Sequence, residues 1–252
     1  MFDRLIPFLS SLVIFAGWES IIFFPSYFSV IAPILILSFF VLLLKLNKFR
    51  VKDKDFWLLL TPGFFLVVLF TVWLLFLSAG YLQQITVILV TAASYYFTSY
   101  LYYFLCRITN YTSLSLEKTS SYFSVINYIL LSVSLYGFIN LLNLKLWYSA
   151  LAVIAVTFIL CYQFFWINKI DERHNFFACI VICLLSTEFF WAISFLPVSH
   201  FISGLTMGII YYVVVNLTLA HFLEKLDKKI VRWYLSVGLI CLFALLLSAR
   251  WL

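Results

Sequence analysis

Apolar residues run along this chain in blocks of about twenty, separated by short polar turns, from one end to the other. A block of that length, wound as an α-helix, crosses the roughly 30 Å of hydrocarbon in a bilayer. The pattern predicts nine spans: Leu5–Phe24, Tyr27–Leu44, Phe56–Ser78, Tyr81–Leu105, Tyr122–Leu142, Leu146–Trp166, Phe176–Phe195, Phe201–Leu223 and Trp233–Ala249. The expected fold is therefore all-α, a polytopic transmembrane helix bundle, with residues 1–252 forming a single integral membrane domain. The turn "FFPSYF" is so short that the first two spans must form a tight hairpin. The opening "MFDRLIPFLSSLVIFAG" has the basic start and apolar run of a signal peptide. It lacks a small-x-small cleavage site and leads into further spans, so it reads as a retained first helix.

Composition sharpens this picture. The chain is 65% hydrophobic and 10% charged, whereas soluble domains carry about 25% charged residues. So few charges cannot cover a water-facing exterior. Their placement orients the chain, because cytoplasmic loops concentrate Lys and Arg. With nine spans, 14 of the 16 basic residues fall on one side, and only Lys145 and Arg250 fall on the other. The N-terminus is then expected in the cytoplasm and the C-terminus outside, in the plasma (cytoplasmic) membrane. The net charge of +6 resides in short juxtamembrane loops, where it suits anionic lipid head groups rather than nucleic acid. The bilayer is the expected partner, and the residues identify no protein partner.

The five cysteines, at 106, 161, 179, 183 and 241, include no C-x-x-C pair. Disulfide frameworks and zinc sites are not expected from them. Asn110-Tyr-Thr fits a glycosylation acceptor pattern, but this topology puts it on the cytoplasmic side, where it stays unmodified.

One hexapeptide, "SYFSVI", occurs twice, at Ser26 to Ile31 and at Ser121 to Ile126. The two copies are expected to open spans two and five, which run in opposite directions. Inverted repeats of this kind build many transporters. A weak repeat of three-span units near residues 1–80, 81–170 and 171–252 would account for nine spans. Ser, however, favours helix N-caps, and Tyr and Phe suit membrane interfaces. With 29 Phe and 16 Tyr in the chain, the echo reads mainly as membrane physics.

Two of the ten acidic residues, Glu19 and Glu188, lie inside spans. An ionisable group at membrane depth is costly and is a functional candidate for that reason. Glu19 lies roughly 21 Å along span one and Glu188 roughly 18 Å along span seven, both in the outer half of the bilayer. If those spans are neighbours, the two carboxyl groups share a proton or hold a cation between them. Otherwise each simply bonds a neighbouring helix. His200 lies at the outer turn on the same side, without the spacing of a metal site. Span four carries Gln84, Thr91, Tyr95, Thr98 and Tyr102 on one face. Such a seam glues helices together, and its tyrosine hydroxyls can also donate to an anionic or sugar-like ligand. Gly204 and Gly208 form a G-x-x-x-G, which favours close helix packing.

The cavity candidates are thus Glu19, Glu188, His200, Tyr95, Thr98 and Tyr102. No catalytic residue, metal or cofactor is expected. The pattern of an intramembrane serine protease or metalloprotease is missing, and the outer loops are too short for chemistry on a large external substrate. The leading expectation is a transport-like protein for a small solute, a cation or protons, with an outward-facing site. A non-catalytic membrane subunit or assembly factor comes second, and an enzyme acting on lipid within the bilayer third. Pro33 and Pro62 lie within spans two and three, where they can open the backbone.

Overall fold

The computed structural model describes residues 4–46, 54–77, 80–106 and 115–249. Among these residues there are nine α-helices and no strand. They are α1 (Ile6–Phe23), α2 (Phe28–Leu46), α3 (Lys54–Trp73), α4 (Gly80–Cys106), α5 (Ser115–Leu142), α6 (Leu146–Ile167), α7 (Glu172–Ile193), α8 (His200–Phe222) and α9 (Lys228–Leu247). Each is long and apolar enough to cross a membrane. The protein is an integral, multi-pass membrane protein in contact with the lipid bilayer.

The helices tolerate their polar residues because many hydroxyls bond back to the preceding turn. Ser20 donates to Ala16 O, Thr61 to Trp57 O, Thr71 to Val67 O and Thr218 to Val214 O, all at 2.7 to 2.8 Å. In hydrocarbon no water substitutes for such partners. Both internal prolines are accommodated, and α2 and α3 run unbroken through Pro33 and Pro62.

Several helices extend beyond the apolar block that announces them. α5 begins at Ser115 rather than Tyr122, and α9 at Lys228 rather than Trp233. Hydropathy marks only the length in hydrocarbon, whereas backbone hydrogen bonding continues through a polar first turn. The two copies of "SYFSVI" consequently occupy different structures. The first runs from a 3₁₀ turn, Pro25–Tyr27, into α2, and the second lies inside α5. The basic stretch 48–52, Asp3, Asp53, Arg107, the Asn110 acceptor motif and Arg250 fall outside the described residues.

The chain divides into two compact units, Met1–Phe123 and Ser124–Leu252, with the boundary inside α5. In the first unit α1 packs along α2 and α4, and α3 also packs against α2 and α4. A Cβ on Gly17 would stand 1.9 Å from Leu35 Cδ1, so the buried Leu35 side chain would have to move to admit one in the α1–α2 hairpin. Trp18 is fully buried, donates through Nε1 to Thr71 Oγ1 at 2.9 Å and meets Phe70 edge-on.

In the second unit α6 and α7 lie along each other, α7 packs on α8, and α8 on α9. Gly204 and Gly208 bring α8 against Val133 and Ile129 of α5. α6 and α8 end with Lys169 and Glu224 at φ 62° and 54°, a left-handed conformation usually given to glycine. Ile170 N–H then reaches Phe165 O, and Lys225 N–H reaches Ala220 O. α9 is nearly bare, with Gly238 its one buried residue.

Candidate functional site

In the first unit the antiparallel contact of α1 with α4 brings polar side chains together at several levels. Glu19, four residues before the end of α1, accepts a hydrogen bond from Gln84 Nε2 at 3.1 Å through Oε2. Its other oxygen, Oε1, is buried and has no hydrogen-bond partner among the described residues. Farther along, Ser10 Oγ lies 3.4 Å from Thr98 Oγ1, and both residues are fully buried. Between these levels, α4 carries Thr91 and Ser94, whose buried hydroxyls also lack partners among the described residues. At the far end Tyr95 and Tyr102 line a cavity of about 300 Å³ with Arg4.

The α4 seam of the sequence is thus matched by one on α1, and the first unit gathers Glu19, Tyr95, Thr98 and Tyr102 along it. From Gln84 to Tyr102 the seam spans 18 residue steps of helix, about 27 Å at 1.5 Å per residue, which approaches the thickness of a bilayer core.

Glu188 and His200 belong to the second unit. Glu188 lies five residues before the end of α7 and is exposed. It lines a groove of about 350 Å³ with Thr187, Trp191, Leu146, Trp147 and Ala150. Apart from Glu188 and Thr187 the lining is apolar. His200 is half-buried at the first residue of α8. Among the described residues no three His, Cys, Asp or Glu side chains gather as a metal site.

The same unit contains a buried polar cluster that sequence reading missed. Tyr128 and Tyr211 stack with ring centroids 4.0 Å apart and planes 9° from parallel. The Tyr211 hydroxyl lies 3.0 Å from Ser124 Oγ and accepts from Cys161 Sγ at 3.6 Å. Cys179 donates to Asn175 Oδ1 at 3.2 Å, and Asn175 Nδ2 donates to Tyr162 O at 3.1 Å. Gln163 is fully buried, and neither of its amide atoms has a hydrogen-bond partner among the described residues. Its visible signal was the run Ser120, Ser124, Asn127 and Ser134 of α5, which recurs at helical spacing.

Residues 47–248 match the model of a family described as protein of unknown function (DUF5656). The chain belongs to that family. No curated protein and no solved structure matches it. The DUF5656 match takes in α3 to α9, and with them α4's side of the seam, the Glu188 groove and the Tyr128–Tyr211 cluster. Arg4, just before α1, and Ser10 and Glu19, on α1, precede the matched stretch.

Proposed function

We propose that this protein is transport-like and moves a small solute, a cation or protons along the α1–α4 seam of its first unit. The observation carrying this reading is Glu19, whose carboxyl group is held by Gln84 on one oxygen while the other is buried without a partner among the described residues. An ionisable group at that depth marks a functional position, because a bare charge in hydrocarbon is costly, and a carboxyl oxygen is a ligand for a cation or a relay for a proton. Thr91, Thr98, Tyr95 and Tyr102 continue the polar line, and Glu188 and His200 are further candidates in the second unit. The bias of basic residues supports a cytoplasmic N-terminus, an outward-facing Glu19 and residence in the plasma membrane.

A second reading, a non-catalytic membrane subunit or assembly factor, is favoured by the direct Ser10–Thr98 contact, which closes the seam between Glu19 and Tyr102. Reconstitution into liposomes of neutral lipid separates the two. Under an imposed membrane potential, the wild-type protein should dissipate a proton or sodium gradient faster than empty vesicles do. Glu19→Gln should lose that flux with its thermal unfolding unchanged. Wild-type flux equal to that of empty vesicles for both probes refutes transport of either ion and leaves the subunit reading.

A further inference from the structure

The cavity at the Arg4 end of the seam has a chemistry of its own. It measures about 300 Å³ and is lined by Arg4, Tyr95, Ser99, Tyr102 and Tyr103, with Pro7 and Phe8 beside them. Among the described residues no carboxylate lines it. Arg4 makes no ion pair with any described residue, and the three tyrosine hydroxyls make no hydrogen bond to one. Tyr102 is the decisive side chain. It is only 8% exposed, yet it contributes to the cavity wall, and its hydroxyl makes no hydrogen bond to a described residue. Pro7, in the first turn of α1, removes one backbone donor there, while the remaining free N–H groups at this helix end favour negative charge.

We infer that this cavity is a binding site for a phosphate group, taken either from an anionic lipid head group or from a free phosphate. A guanidinium offers a planar fork of donors that matches phosphate oxygens, and charge-assisted bonds of this type are shorter and stronger than neutral ones. Tyrosine hydroxyls and Ser99 supply the remaining donors. The ring of Phe8, 57% exposed beside the cavity, offers an apolar surface for an acyl chain. This site shares Tyr95 and Tyr102 with the proposed transport line but not Glu19, and its test measures binding rather than flux, so the two readings fail separately.

The experiment uses the full chain in nanodiscs of phosphatidylcholine and measures binding calorimetrically with three probes: short-chain phosphatidate, inorganic phosphate and short-chain phosphatidylcholine. Phosphatidate or phosphate should bind saturably, more weakly at higher salt, and phosphatidylcholine should not compete. Arg4→Gln should weaken binding about tenfold or more, and Tyr102→Phe about threefold or more. Arg4→Lys should fall between wild type and Arg4→Gln, because it keeps the charge and loses the fork. Binding of phosphatidate alone identifies a head-group site, and equal binding of inorganic phosphate identifies a free anion. Unfolding temperatures of the variants distinguish a lost site from a lost fold. Wild-type affinity in both folded Arg4→Gln and folded Tyr102→Phe overturns the inference, as does failure of the wild-type protein to bind either phosphate probe.

Discussion

Gly204→Ala probes how closely α8 approaches α5. A Cβ at this position would lie 2.5 Å from both Cα and N of Val133, where ordinary contact requires 3.4–4 Å. The obstacle is backbone, so no side-chain rotation relieves it, and the helices must separate locally by about 1 Å, a shift whose overpacking costs about 1–3 kcal/mol. Separation also strains the bond between Tyr211 and Ser124 at 3.0 Å, a further contribution of about 0.5–1.5 kcal/mol. Replacing a helical glycine returns about 0.5–1 kcal/mol. A net loss of about 1–3 kcal/mol is expected.

Gly208→Ala meets Ile129 Cγ1 at 2.2 Å instead. That atom belongs to a side chain that can repack, so this variant should lose about 1 kcal/mol or less. Equilibrium unfolding in mixed micelles gives the stabilities, and alkylation of Cys161, fully buried beside Tyr211, reports whether the stack has opened. Gly204→Ala should be the less stable variant and the one in which Cys161 reacts faster. The reasoning is refuted if Gly204→Ala is as stable as wild type, or if Gly208→Ala costs more.

Two further outcomes are expected from other parts of the fold. Glu224→Gly should raise stability by about 1 kcal/mol, measured in the same unfolding assay. It relieves a left-handed backbone at φ 54° and removes an acidic group from the end of a helix, where negative charge is unfavourable. In the folded protein a maleimide should modify Cys106, exposed at the end of α4, and leave Cys161 unmodified until denaturant is added. Modification of Cys161 at the rate of Cys106, read by mass spectrometry of the two peptides, would contradict the buried cluster.

The nine spans were readable because a twenty-residue apolar block has one stable fate in a bilayer, whatever its neighbours. Helix ends were less so, since the polar first turns of α5 and α9 look like loop until their hydrogen bonds are seen. The face of α4 was readable from the spacing of Gln84, Thr91, Tyr95, Thr98 and Tyr102. Its match on α1 was not, because nothing in Arg4, Ser10 or Glu19 says which helix they will lie against. The Tyr128–Tyr211 cluster was missed for a related reason. In a chain rich in tyrosine and serine these residues read as interface and cap residues, and only the packing of α8 on α5 reveals that they are buried.

The bareness of α9 has a consequence for how its sequence can drift. Trp233, Leu235, Leu239, Ile240, Phe243 and Leu247 are all exposed, and Gly238 alone is buried, where a Cβ would meet Val213 Cγ2 at 2.7 Å. Lipid, unlike a protein neighbour, accepts any apolar shape. Selection on these exposed positions therefore acts on average hydropathy, and their letters are interchangeable among Leu, Ile, Phe and Val, whereas Gly238 and half-buried Tyr234, which meets Tyr212, are tied to α8.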